Sequence, residues 1–463
     1  MCKGKVVPCG GATCRLKAAA RNFATALAIQ PTPTLATLLE PSVPSTAHPP
    51  LSSLVQDRIA RPSPIRRIME MAEVQNIRAL GLDPDQVISF GGGWVDHPAP
   101  DGLRRAYESI CTSDSDFHAT GAYSPTLGQL ACRKQLARFQ EHLFGAPELG
   151  PEHVAVGMGS TQLTLDLVRT LVDPGDPILL LDPTYANYEG QLALSLPGSP
   201  LVRLRVLDPE SWSYLPHQEP EEVIRRFRSL FRKHRPRLIL LSAPDNPTGQ
   251  IPPHHLVDAM LEEAVEDEAW LVVDFAYKCQ AFGPPPDYFR WSPADHPNFV
   301  AVHSNSKWAR SLGRRLGWIE AHPSVVDGLE RIQQCSVLCP DSLAQMALAR
   351  YLEEAMEDGS LLRYAEETRG AYRKAARRTT EAIDLHLGLP RLEPEGGLYT
   401  VVNVGRNADE FVPEALRASG VLVVPGGGFG PSLNHGVRIS FGPMVRTPER
   451  IDEGLARLGA WMR

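Results

Sequence analysis

Lys307 stands where an apolar run, Val300-Ala301-Val302-His303, gives way to Ser304-Asn305-Ser306, and Gly313, Arg315 and Gly317 follow it. An amine leaving a buried strand condenses with an aldehyde only while neutral, a form that desolvation and neighbouring cations favour. Ser304 and Arg315 suit a dianionic phosphate, to which a guanidinium offers a fixed fork of donors. Upstream, Leu271-Val272-Val273 ends in Asp274, with Tyr277 three residues on, so a second strand delivers a carboxylate and a phenol. Earlier still, Leu241-Ser242 leads into Ala243-Pro244-Asp245-Asn246-Pro247-Thr248-Gly249, a turn by composition. Gly157-Met158-Gly159-Ser160-Thr161-Gln162 joins a strand to a helix, whose N-terminus suits a phosphate. A dinucleotide fingerprint is the competing reading of that loop, weakened because Gln162 stands where its third glycine belongs. Arg438 is a guanidinium on the apolar strand Gly436-Val437-Arg438-Ile439-Ser440-Phe441. Burying it alone would cost several kcal/mol, so it needs an anion, either a ligand or an acid of the protein.

These residues need a scaffold that brings strand ends together, and the hydrophobic pattern supplies one. Short apolar runs predict strands at Val154–Gly157, Ile178–Asp182, Leu201–Arg205, Leu238–Ser242, Leu271–Asp274, Val300–Ser304 and near Trp318–Ala321. Helical periodicity falls between them, as in Thr161–Leu171 and Glu221–Lys233. Alternation of this kind predicts an α/β fold, a mainly parallel sheet flanked by helices, and such sheets bind ligands outside the carboxyl ends of their strands. Beyond residue 340 the helices lengthen (Asp341–Glu357, Leu361–His386), and strands follow at Tyr399–Val404, Val421–Val424 and Val437–Phe441. That shift predicts a smaller α+β domain over 341–463, after a large ligand-binding domain over 111–340. Residues 56–110 are assigned to an N-terminal segment serving the small domain and the substrate site.

Ser-x-Ser-Lys followed by Gly-x-Arg-x-Gly, with the other motifs in this order, resembles the class I/II aminotransferases of pyridoxal 5′-phosphate (PLP) fold type I, over roughly residues 60 to 460. The resemblance implies that Lys307 holds PLP as a Schiff base, that Asp274 pairs with the pyridine nitrogen, and that Tyr277 and Asn246 hydrogen-bond the 3′-oxygen. It places Ser160, Thr161, Ser304 and Arg315 on the phosphate and Tyr185 on the ring face. Arg438 clamps the substrate α-carboxylate, which Gly93 of Phe90-Gly91-Gly92-Gly93 also approaches; Asn246 belongs to the same substrate end. Tyr123, followed by Gly128, reaches the phosphate of a neighbouring subunit, which implies a homodimer with shared active sites. The Asn246-Pro247 peptide is expected to be cis, and Tyr399 is at most pocket lining. Lys278, lacking both the serines and the following Gly-x-Arg-x-Gly, is read as a surface neighbour. The implied reaction moves an amino group between an amino acid and a 2-oxo acid. The same apparatus serves lyases, decarboxylases, cyclases and oxidases, and substrate identity stays open, with Trp94, Trp308 and Arg310 only nearby. A PLP-binding transcriptional regulator is a remote alternative.

Bulk properties exclude other classes. The 463 residues carry a formal net charge of −7 from interspersed signs, which leaves no basic stripe for nucleic acid. No apolar run approaches the roughly 18 residues that a membrane crossing requires. Eight scattered cysteines form neither a disulfide framework nor a metal pair, so no metal is expected and a reducing cytoplasm is the simplest compartment. Residues 1–55 contain no acid before Glu40 and a Pro/Thr/Ser-rich stretch, which reads as a poorly ordered extension, dispensable or a transit segment.

Overall fold

Ile178–Asp182 and Leu238–Ser242 are apolar on both faces, so no arrangement lets one side meet water, and both become inner strands of a seven-stranded sheet. The computed structural model describes residues 51–58 and 64–463. The expectations for the N-terminal extension therefore fall outside the described residues, except at its last few positions. Across the sheet the order is Val154–Gly157, Gly317–Glu320, Phe299–Ser304, Trp270–Asp274, Leu238–Ser242, Ile178–Asp182 and Leu201–Arg205. Gly317–Glu320 runs antiparallel to both neighbours and the remaining pairs are parallel. Successive side chains point to opposite faces, so Leu179 and Leu181 join one apolar layer while Ile178 and Leu180 join the other. Leu201–Arg205, at the edge, is the one whose outer positions are exposed.

The helices follow their periodicity. Pro220–His234 buries Val223, Phe227 and Phe231 along one stripe, starts with Pro and two glutamates, and ends in Arg232, Lys233 and His234, as the helix dipole favours. Ser160–Leu171 lays Leu163, Leu167 and Val168 on the sheet. Ser342–Glu357 packs on Asp101–Cys111 and Leu130–Phe144.

The C-terminal strands form a separate antiparallel sheet in which Gly436–Ser440 lies between Tyr399–Asn403 and Val424–Pro425. The strand expected over Val421–Val424 is divided. Val421–Leu422 pairs with Ile88–Ser89, whereas Val424–Pro425 pairs with Arg438 and Val437, because each half serves a different partner. Beyond Ser89, the Phe90 amide donates to Leu422 O and its carbonyl accepts from Ser440 N, which lays Gly91 beside Arg438. Among the described residues no helix is long and apolar enough to cross a membrane.

At one edge of the large sheet Asp182, Ser242, Asp274 and Ser304 end parallel strands, and Gly317 opens the antiparallel one opposite Ser304 and Gly157. A Cβ on Gly317 would lie 2.7 Å from His303 O, 2.9 Å from Ser160 N and 3.0 Å from Gly159 C, all of them backbone atoms. Gly317→Ala is therefore expected to destabilise the chain by about 1–3 kcal/mol and to weaken phosphate binding at the adjoining loop. Urea unfolding and inorganic phosphate titration check it; parent-like values for both would refute the crowding.

Candidate active site

Nine of the expected residues line one cavity at that edge: Ser160, Thr161, Tyr185, Asn246, Asp274, Tyr277, Ser304, Lys307 and Arg315. The end suited to an anion is built around the N-terminus of the twelve-residue helix Ser160–Leu171, whose free N–H groups favour negative charge. Gly159, at φ +85°, turns the chain into this helix, and a Cβ there would sit 2.6 Å from Arg315 Nη2. Glycine is thus what lets the guanidinium lie against the helix end. Arg315 Nη1 donates to Leu312 O at 2.9 Å, and its contacts with Ser306 Oγ and Met158 O are long, 3.5 Å each. Most of its donor capacity faces the cavity. Ser304 Oγ accepts from Ser306 N and caps the short helix Asn305–Trp308, so Ser306 is the freer hydroxyl of the pair.

The other end holds a carboxylate and an amine in poorly solvated surroundings. Asp274 is buried, accepting from Ala276 N at 3.0 Å and from the Tyr188 hydroxyl at 3.1 Å. Burial pushes it up to about 6 against those two bonds and the charge of Lys307. Lys307 Nζ donates to Gly93 O and lies 5.6 Å from the centre of the Tyr277 ring. Burial, with Arg438 and Arg315 adding to it, lowers the amine to about 8 against the pull of Asp274. Tyr277 and Tyr399 share a hydroxyl hydrogen bond of 2.8 Å, and Tyr185 meets Tyr188 edge to face at 5.2 Å.

Arg438 is wholly buried between the rings of Tyr399 (4.3 Å) and Phe429 (5.1 Å). Nη1 donates to Asn246 Oδ1 and Nη2 to Gly91 O, each at 2.9 Å, while Nε has no partner. Among the described residues it forms no salt bridge, which removes the reading of a structural ion pair. Tyr123 stands outside this group, 84% exposed.

Two expectations are corrected. The Asn246-Pro247 peptide is not cis; the cis bonds are Ala243-Pro244 and Asp182-Pro183. Asp245 O accepts from Gly249 N and Asp245 Oδ2 from Thr248 Oγ1, a tight turn in which a trans proline's fixed φ fits directly after Asn246. Lys278 is not at the surface. It is buried, donates to Gln140 Oε1 at 2.5 Å, and lies over the rings of Phe144 and Phe275 at 4.4 and 4.6 Å. Gln140 in turn meets His303 Nδ1 at 3.4 Å, and His303 Nε2 lies 3.3 Å from Glu320 Oε2, so the ammonium has a carboxylate at the far end of a polar chain.

The model of the family "Aminotransferase class I and II" matches residues 86–458, nearly the whole described chain. The chain belongs to the class I and II aminotransferases. The aspartate/prephenate aminotransferase of Thermus thermophilus is 25% identical over 403 residues, covering 87% of this chain and 97% of that one. The arginine–pyruvate transaminase of Pseudomonas aeruginosa is 26% identical over 379 residues, covering 80% and 88%. A solved structure of Thermus thermophilus aspartate aminotransferase with maleate shares the fold, with a TM-score of 0.74 at 24% identity over 89% of this chain and all of that one. This aminotransferase is accordingly a PLP-dependent transaminase of fold type I.

Sequence reasoning passed over several residues of this aminotransferase. Tyr188 lies in the first turn of the helix Asn187–Ser195, three residues from Tyr185, and that spacing was its only signal. Ser306 was visible in the Ser-x-Ser-Lys motif but not separable from Ser304. Phe429, against Arg438, had no signal, because the contact joins a glycine-rich turn to a distant strand.

An aspartate raised by folding stabilises the fold fully only below its unfolded value, near 3.8, and loses that contribution as pH rises through about 6. The cofactor-free Asp274→Asn chain should therefore be more stable than its parent at about pH 7.5, by on the order of 2–3 kcal/mol, with the gap closing near about pH 4. PLP affinity should fall in the same variant. Thermal melts at both pH values check this; equal midpoints at the higher pH would refute it.

Proposed function

We propose that this aminotransferase moves an amino group between an α-amino acid and a 2-oxo acid, with Lys307 as the covalent anchor of PLP and the carrier of the Cα proton. The observation that carries the reading is a buried guanidinium, Arg438, with no acid partner, in one site with an amine of lowered pKa and a carboxylate of raised pKa. The donor set suits the cofactor. Arg315, Ser160, Thr161, Ser304 and Ser306 around a helix N-terminus serve a phosphate, Asp274 serves a ring N–H, Tyr277 and Asn246 a ring oxygen, and Tyr185 a ring face.

When bound, PLP supplies an aldehyde that carries the amino group and a ring that withdraws electrons from the substrate carbon. The protein's residues do the rest. Asp274, ionised at neutral pH and shielded from water, holds a proton on whatever nitrogen faces it. Arg438 takes the substrate carboxylate with its fork, Asn246 steadying Nη1, and Gly93 contributes backbone beside it. Lys307 Nζ, lowered to about 8, would take the Cα proton and hold it for return at the cofactor carbon on the far side of the amino nitrogen. One site serves both half-reactions, so the kinetics are ping-pong.

Lys307→Ala should lose PLP as an adduct that borohydride reduction fixes, and should lose activity by about 10²–10⁴-fold or more. An adduct still found by mass spectrometry in that variant would sink the reading. Arg438→Gln should raise KM for the donor by about tenfold to a hundredfold, the loss of a charged hydrogen-bond pair. Aspartate and arginine, donors in the names of the relatives, with pyruvate as acceptor, open the donor screen.

The domain limits 56–110, 111–340 and 341–463 are part of the same proposal, supported by the pairing of Ile88–Ser89 with Val421–Leu422. So are a homodimer and a cytoplasmic setting. Tyr123, Phe117 and Leu130 expose large apolar surface in one stretch of chain, which suits a second copy whose phosphate site Tyr123 completes. The free cysteines, two of them buried, suit a reducing compartment. Light scattering should return twice the mass of one chain, and Tyr123→Ala should weaken PLP binding; a monomer with full PLP affinity would refute the shared site.

A further inference from the structure

The glycine segment that carries Gly91 and Gly93 continues into His97, which the reaction does not use. His97 is buried, and its two ring nitrogens meet different elements: Nε2 lies 3.1 Å from Trp308 O and Nδ1 2.7 Å from the Tyr372 hydroxyl. A carbonyl only accepts, so Nε2 carries the proton. With Nε2 protonated, Nδ1 is the acceptor, and the Tyr372 hydroxyl donates to it. Burial holds the imidazole down at about 4 against the bond to Trp308, so the single-proton form persists throughout the working range. The second lone pair of Trp308 O is taken by the Tyr364 hydroxyl at 3.0 Å, which also points at Pro98 O. Arg310, held at φ +46°, donates to Asp96 Oδ1 at 2.7 Å and to His97 O at 3.0 Å.

The far end of this segment sits on the reactive groups. Gly93 O accepts from Lys307 Nζ, and Gly91 O accepts from Arg438 Nη2. Gly91 O shares the Arg438 fork that the substrate carboxylate would use, while Asp96 and His97 are tied to residues 308 and 310. Trp94 lies on the same segment, its indole against Gly92, where a Cβ would come within 2.4 Å of a ring carbon. We propose that His97 is a positioning residue, the fixed pivot that sets the Gly91–Val95 segment in register with Lys307 and Arg438 by fastening it to the Trp308 carbonyl. The proposal rests on the reading of Lys307 and Arg438 given above and adds the element that aligns the segment with them.

His97→Phe keeps an aromatic ring, a somewhat larger one, and removes both hydrogen bonds; His97→Gln keeps one donor for Trp308 O and one acceptor for Tyr372; Tyr372→Phe removes the hydroxyl that donates to Nδ1 and leaves the bond to Trp308 O. Hydrogen exchange is read on the full-length chain without cofactor, so its outcome is independent of whether Lys307 bonds PLP. In His97→Phe, exchange over residues 88–96 should rise about tenfold with the strand Phe299–Ser304 unchanged, as expected for the loss of two neutral hydrogen bonds. In the loaded enzyme, KM for the donor should rise by a similar factor with kcat nearly constant. His97→Gln should restore both, and Tyr372→Phe should fall between; if His97→Phe does not fold, Tyr372→Phe alone carries the test. Parent-like exchange over 88–96 in Tyr372→Phe and His97→Phe would overturn the proposal. So would exchange rising equally across the sheet, or a KM left unchanged while kcat falls.

Discussion

Two cations and a carboxylate stand close together in poorly solvated surroundings without neutralising one another. Lys307, Arg438 and Asp274 form no mutual ion pair; Lys307 and Arg438 rest on glycine carbonyls, and Asp274 rests on an amide and a phenol. Charges left unpaired in this way cost stability, and carbonyls or hydroxyls repay only part of that cost. The separation persists because each charge belongs to a different rigid element: the end of one parallel strand, the first turn after its neighbour, and the middle strand of the C-terminal sheet. Ligand groups that complete those charges therefore find partners already oriented, which is how preorganised sites convert binding into catalysis.

The aromatic surroundings set the dielectric. Arg438 between Tyr399 and Phe429, and Lys278 over Phe144 and Phe275, are cations whose solvent has been replaced by ring faces. The two differ in purpose. Lys278 bonds Gln140, which meets His303 beside the Glu320 carboxylate, so its charge is answered within the protein. Arg438 has an unfilled Nε and exchangeable carbonyl contacts, the condition of a group that waits for a substrate.

Much of the scaffold was legible in order of chain. Apolar runs bounded by Gly, Pro and Asp gave Val154–Gly157, Ile178–Asp182, Leu201–Arg205 and Leu238–Ser242 with their observed limits, because burial imposes an apolar composition on both faces of the inner strands and on the buried positions of the edge strands. Nine cavity residues were named because each sits within a few positions of a strand end, where short-range spacing decides which groups share an edge. The division of Val421–Pro425 between two partners was not legible, since nothing local distinguishes a strand that serves one neighbour from one that serves two.

The amino-acid order by itself determined the strand ends, the lysine at one of them, the carboxylate at the next, and a guanidinium that would need an anion. Only the tertiary structure decided that this guanidinium lacks an acid of its own, that Lys278 is buried, that Asn246-Pro247 is trans, and that His97 meets Trp308. The last pair stands 211 residues apart. Spacing along a chain reports what one strand or one turn can present, whereas burial and partnership depend on surfaces that meet only after the sheets close, and those surfaces leave no period in the sequence.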